Sequence, residues 1–205
     1  MVLFGEFLGY YVQLLAIMNP FSALPTFLSL TEDLDEDLKR EIVGKALIAS
    51  LVLVAVFTLV GNYILMAFNI SLPALRIGGG VILMAIAIDM LGGMPRTKRV
   101  EAQDIAVVPL ATPMVIGPGT ITTILLLTSK EPSPTNTGLV LAAGLAAAAT
   151  TFLLLRYSEP IIRVLRQSTV RAIGRFMSLI IASIAAEMIA YGIIAYYHQV
   201  FAPQA

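Results

Sequence analysis

Two stretches of this chain carry residue types that can bind a solute without any charged side chain. The first is Asn19-Pro20-Phe21-Ser22-Ala23-Leu24-Pro25. The second is Thr112-Pro113-Met114-Val115-Ile116-Gly117-Pro118-Gly119. Pro20 precedes Pro113, and Pro25 precedes Pro118, by the same 93 positions. Proline inside a helix removes one backbone hydrogen bond and clashes with the preceding turn, at a cost of about 3 kcal/mol. In the first stretch the carbonyls of Ala16 and Phe21 lose their donors. Hydrocarbon offers no water to replace them, so an opened backbone is tolerated only where it is buried in protein or lines a cavity.

Each break exposes N–H groups where its second half begins and C=O groups where its first half ends. The N-terminal end carries about half a positive charge, which suits a carboxylate. The carbonyl end suits an ammonium or a small cation. No Lys, Arg, Asp or Glu lies in either break. A zwitterion of low net charge therefore fits better than a bare ion or a phosphate. The expected binding set is Asn19, Pro20, Phe21, Ser22, Ala23, Thr112, Gly117, Gly119, Thr120 and Thr123, with Thr122 as a further polar neighbour. Its carboxylate would meet the N–H groups of residues 21–24 and 117–120. Its ammonium would meet carbonyls near Ala16–Met18 and Thr112–Met114. A single proline of this kind is more simply a kink. Matched interruptions in two halves of a chain are the better pointer to a transport site.

Glu187 is the acid expected deepest in a span, and an intramembrane carboxylate is a candidate for proton coupling. The plainer reading has it neutral, or reaching Tyr191 or the outer headgroups. Asp89 lies nearer the other edge, within reach of Arg96 or Arg99. Tyr10 and Tyr11 stand above Asn19 and could close an outer vestibule.

The elements that must position these residues are helices long enough to cross a bilayer. Of 205 residues, 58% are hydrophobic and 13% charged, against roughly 25% charged in soluble domains. A hydrocarbon core of about 30 Å needs about 20 apolar residues as helix. Six segments meet this, at approximately 3–31 (broken), 41–67, 73–92, 104–129 (broken), 138–157 and 171–198. The fold expected is an all-α membrane protein of six transmembrane helices. It forms one domain, 1–205, built as two inverted three-helix repeats, about 1–95 and about 100–205, with helices 1 and 4 discontinuous. A weaker echo joins Asp89-Met90 to Glu187-Met188 at an offset of 98. Eleven Lys and Arg flank one side of these spans, against Arg76 and Lys130 on the other. The positive-inside rule puts the first side in the cytoplasm and both termini outside.

Smaller features complete the expectation. Residues 158–166 read as a short interfacial helix with its arginines at the headgroups. The stripe Gly138, Ala142, Ala146 and Thr150, and the run Gly78-Gly79-Gly80, read as close-packing surfaces. Residues 131–136 read as an outer turn. Acidic residues of loop one suit the N-terminus of the second span. The stretch before Lys39 lacks the basic region of a cleaved signal peptide, so the first span is expected to remain.

Composition also excludes classes. Cysteine is absent and His198 is the single histidine, so no Cys site and no His cluster can hold a metal. No cofactor is expected, and no nucleic acid at zero net charge. No Ser/His/Asp set, P-loop or dinucleotide fingerprint appears, so an enzyme is not expected.

Residues 15–25, Leu28-Ser29-Leu30-Thr31, Pro109-Leu110-Ala111-Thr112-Pro113 and Gly117-Pro118-Gly119-Thr120-Ile121-Thr122-Thr123 resemble the MarC family of bacterial and archaeal inner-membrane proteins. The likeness covers all six spans. It implies a transporter like the family's SnatA members, which use the proton gradient to move glycine and alanine. The partners so implied are a small neutral amino acid, a proton or else sodium, and the bilayer. The alternatives are a passive channel, an exporter of other small solutes, or a membrane assembly factor.

Overall fold

The computed structural model describes residues 2–92 and 116–201. Within them every regular element is a helix. The order is α1 (Val2–Met18), α2 (Pro20–Leu30), α3 (Glu36–Ala67), α4 (Leu72–Gly92), α5 (Pro118–Lys130), α6 (Pro134–Arg156) and α7 (Ser158–Phe201). Five helical segments among the described residues are long and apolar enough to cross a membrane: Val2–Leu30, Glu36–Ala67, Leu72–Gly92, Pro134–Arg156 and Ser158–Phe201. At about 1.5 Å per residue, the 13 residues of α5 reach only part of the way. The start of the fourth expected span lies outside the described residues.

Local chemistry sets the helix ends. Asp35 caps α3, its Oδ1 accepting the Leu38 amide at 2.7 Å, with Glu36 and Asp37 in the first turn. The acids of loop one thus meet the positive end of a dipole. The cap also starts this helix earlier than the apolar run alone indicates. Ser133 caps α6 by accepting the Asn136 amide at 3.1 Å, with Pro134 at the first helical position. A missing N–H costs nothing there.

Close contacts fix how the helices pack. Tyr10 meets Asn136 and Met18 meets Thr151, so α1 and α6 run parallel. Gly61 lies against Leu125 and Asn62 pairs with Ser129, so α3 and α5 pack side by side. Gly80 lies on Ala185 and Ile189 while Gly192 lies on Arg76 and Ile77, so α4 and α7 are antiparallel. Gly79 against Thr122 and Gly119 against Leu83 make α4 and α5 antiparallel.

Two apolar clusters hold the bundle. The larger gathers Leu14, Met18, Leu24, Val54, Ile124, Phe152 and Val170, among others, from α1, α2, α3, α5, α6 and α7. The smaller joins Ile17 to the α4–α7 seam. Within that seam Leu83 and Ile181, Ala87 and Ala185, Met84 and Ala182, and Met90 and Met188 are each 98 positions apart. The outer faces stay apolar, with Val52, Val56 and Leu59 on α3 and Phe176, Leu179 and Ile193 on α7 exposed. Such a surface suits lipid.

Three expectations need correction. The packing face of α6 is not Gly138, Ala142, Ala146 and Thr150. Gly138 has open space around it among the described residues, and the buried stripe is Val140, Ala143, Gly144, Ala147, Ala148 and Thr151. This helix is small-residued on every side, so composition alone could not choose its face. In the glycine run, Gly79 and Gly80 pack closely and Gly78 does not. Residues 158–165 are helical, as expected. They join the last helix directly, through Arg166 at φ 62°, ψ 146°, rather than through a loop reaching to 171.

Candidate functional site

Helix α1 stops because of Pro20. That residue has no N–H, so the Ala16 carbonyl loses its helical donor. Asn19 then turns left-handed, at φ 42° and ψ 64°. Asparagine is among the few side-chain-bearing residues that enter this region readily. Its amide still donates to Leu15 O at 3.0 Å, closing α1, and its carbonyl accepts from the Ser22 amide at 3.1 Å. The side chain works in both directions. Oδ1 accepts from the Ser22 amide at 3.4 Å, capping α2, and Nδ2 donates to Met90 Sδ on α4 at 3.5 Å. Asn19 is fully buried. Thioether sulfur is a weak acceptor, so this buried amide keeps donor capacity that Met90 does not exhaust.

The other start is α5. Gly117 is extended, at φ −85° and ψ −178°, and as glycine it brings no side chain to cap the helix. Pro118 opens the helix, and the Ile121 amide returns to Gly117 O at 3.1 Å. Gly119, Thr120 and Thr123 are all buried. Thr123 Oγ1 donates back to Gly119 O at 2.9 Å, so that hydroxyl is already engaged within its own helix. A Cβ at 119 would collide with Leu83 Cδ2. The close approach at Gly119 is therefore taken by a neighbouring helix.

One face of α4 serves both places. Met90 meets Asn19, and Leu83 meets Gly119. Seven residues along a helix are two turns, about 10 Å, so the start of α5 lies about that far along α4 from the turn at Asn19. Ile17, two residues before the turn, joins the same cluster as Leu83.

The remaining expected residues divide. Pro20 and Ala23 are buried, while Phe21 and Ser22 are half-buried. Pro25 sits inside α2 without interrupting it. Counted by the 93-residue spacing, the start of α5 at Pro118 matches Pro25 and not Pro20. Thr112, with Pro113 and Met114, lies outside the described residues. Thr122 fills the space beside Gly79. Glu187 is exposed on α7, so it is not gathered with the buried residues near Asn19. Asp89 is exposed on α4, and Arg96 and Arg99 are outside the described residues. Tyr10 and Tyr11 do not stand free over a vestibule. Tyr10 OH donates to Asn136 Oδ1 at 2.9 Å and Tyr11 OH meets Thr150 Oγ1 at 3.0 Å.

The residue that sequence reasoning missed is Asn136. Its Nδ2 donates to Leu127 O and Glu131 O, each at 2.9 Å. It thereby ties the end of α5 to α6 while Tyr10 adds α1. The signal lay in Ser133-Pro134-Thr135-Asn136, a cap followed by a helix-starting proline. That pattern locates a helix start, and so turns the asparagine inward.

Buried polar backbone at an interrupted helix, inside a bundle with an apolar exterior, defines a polytopic α-helical membrane protein. The family model for the MarC family integral membrane protein matches residues 4–197, and the chain belongs to the MarC family. It is 36% identical over 192 residues to a UPF0056 membrane protein of Pyrococcus horikoshii, covering 91% of this chain and 94% of the relative. It is 32% identical over 202 residues to the UPF0056 membrane protein YvbG of Bacillus subtilis, covering 94% and 96%. It is also 32% identical over 197 residues to the UPF0056 inner membrane protein YhgN of Escherichia coli, covering 92% and 96%. No solved structure matches the chain.

Proposed function

We propose that this protein is a secondary transporter of small neutral amino acids of the glycine and alanine class. Substrate binds at mid-membrane between the turn at Asn19 and the start of α5. The observation that carries this is the buried left-handed Asn19, which opens the backbone beside the same face of α4 that receives Gly119. Main-chain N–H groups of α2 and α5 would hold the carboxylate, and carbonyls at Ala16–Met18 the ammonium. Asn19 Nδ2 is placed to add a side-chain donor.

In this reading the two halves are inverted repeats that rock against each other. The 98-residue matching along the α4–α7 seam supports it. So does the exchange of partners, with α2 on α6 answered by α5 on α3, and α2 on α7 answered by α5 on α4. The lysine- and arginine-rich side faces the cytoplasm and both termini face outward. Coupling is to protons, and Glu187 is the carboxylate to test first.

The experiment is uptake of labelled glycine into proteoliposomes, with proton and sodium gradients imposed separately. Accumulation driven by the proton gradient is expected, and Glu187→Gln should abolish the drive while sparing exchange. Non-saturating flux without accumulation would replace the transporter by a channel.

A further inference from the structure

A cleft of about 390 Å³ opens at the basic end of the bundle, along the seam between α2 and α7. Pro25, Leu28 and Ser29 of α2 form one wall, and Glu159 and Ile162 of the short arm of α7 (residues 158–165) form the other. Lys39, from the first turns of α3, lies at its rim. Lys39 Nζ donates to Glu159 Oε1 at 2.8 Å across the cleft and to Glu36 Oε1 at 3.1 Å on its own helix. Only 15% of the Lys39 side chain is exposed, so it is held between these walls rather than waving in solvent.

On α2 the lining of the cleft ends at Pro25. Ser22 precedes Pro25 by three residues, about one helical turn. There α2 touches the long arm of α7, where a Cβ at Gly174 would stand 2.7 Å from Ser22 Oγ and 3.4 Å from Ser22 Cα. Two closures thus lie in series, an ion pair at the rim and a glycine contact below. A joint exists between the arms. Arg166, at φ 62° and ψ 146°, occupies a region that side-chain-bearing residues rarely adopt, and such positions gather at switch points.

We propose that this cleft is the inner mouth of the solute path and that the Lys39–Glu159 pair is its latch, released when the short arm of α7 swings about Arg166. The proposal rests on the transporter reading above. A partly exposed ion pair shifts an equilibrium by no more than about fivefold. That is weak enough for a latch that must open in every cycle. Lys39 is a gating residue here and touches no substrate.

The chain has no cysteine, so one introduced thiol reports alone. Ser22→Cys in the full-length protein, reconstituted in vesicles of known sidedness, is treated with a membrane-impermeant methanethiosulfonate on the Lys39 side. Adding Lys39→Gln, or Glu159→Gln, should raise the labelling rate about two- to fivefold. Reversing both charges, Lys39→Glu with Glu159→Lys, should bring it back toward the parent. Glu36→Gln removes the other Lys39 contact without crossing the cleft and should leave the rate unchanged. Labelling only from the opposite face, no acceleration in Lys39→Gln, or equal acceleration in Glu36→Gln would each overturn the latch. Thiol labelling needs no substrate. A protein that gates in this way yet moves no glycine would refute the substrate reading alone.

Discussion

Asn19 donates its side-chain amide to the sulfur of Met90 at 3.5 Å, which ties the turn between α1 and α2 to the face of α4 that also receives α5. The contact matters because the turn is left-handed and fully buried. Side chain and backbone should be separable there. Asn19→Gly keeps the left-handed backbone at little cost but loses the cap on Ser22 and the bond to Met90. Asn19→Ala loses the same bonds and adds left-handed strain of about 1 kcal/mol. Thermal unfolding in detergent should rank Asn above Gly above Ala. Alanine more stable than glycine would mean that residue 19 is not left-handed.

Gly119 tests whether α5 must lie close on α4. A Cβ there meets Leu83 Cδ2, with Leu83 Cγ at 3.2 Å. Leu83 is fully buried and has nowhere to retreat. Gly119→Ala should cost about 1–3 kcal/mol through overpacking and displace the first turn of α5. Gly119→Leu should stop glycine uptake altogether. Adding Leu83→Ala should restore a good part of the stability lost in Gly119→Ala. Losses that simply add would show that the two residues are not in contact.

Much of this was legible in the residues because it depends on rules that act within a few positions. Asn before Pro, and Gly before Pro, each state where a helix begins, and α2 and α5 begin there. The repeated Met90 and Met188 pointed to an offset that recurs along the α4–α7 seam. What could not be read depends on which face meets which neighbour. In α6 the residues are small all round, so the helical period carried no contrast and the expected stripe was misplaced. Tyr10 and Asn136 are 126 positions apart, and no local pattern joins them.

Asn136 shows how such a long-range tie can be weighed. It donates to the carbonyls of Leu127 and Glu131 and accepts from Tyr10. Asn136 is buried, so its loss takes the side-chain donor from the buried Leu127 carbonyl, while Glu131 O keeps the Ser133 amide at 2.8 Å. Asn136→Ala should destabilise by about 2–3 kcal/mol, and Tyr10→Phe by about 1 kcal/mol. In the double variant the tyrosine change should cost little more, because its acceptor is already gone. Unfolding midpoints of the four proteins complete the cycle, and a full additional loss on removing the Tyr10 hydroxyl would exclude the pairing.

Two hydroxyls on α3 predict the opposite sign. Ser50 Oγ and Thr58 Oγ1 are buried and have no hydrogen-bond partner among the described residues, while Val54 between them is fully buried against Gly144 of α6. A buried donor left unpaired costs about 1–3 kcal/mol, and replacing it by an apolar group of the same shape recovers part of that cost. Thr58→Val keeps the volume and removes the hydroxyl, and Ser50→Ala does nearly the same. Both should leave the unfolding temperature unchanged or raise it, and neither should alter uptake. A loss of stability in Thr58→Val would mean that its hydroxyl has a partner at that depth, such as a bound water, and that α3 is held at the centre of the bundle by more than apolar packing.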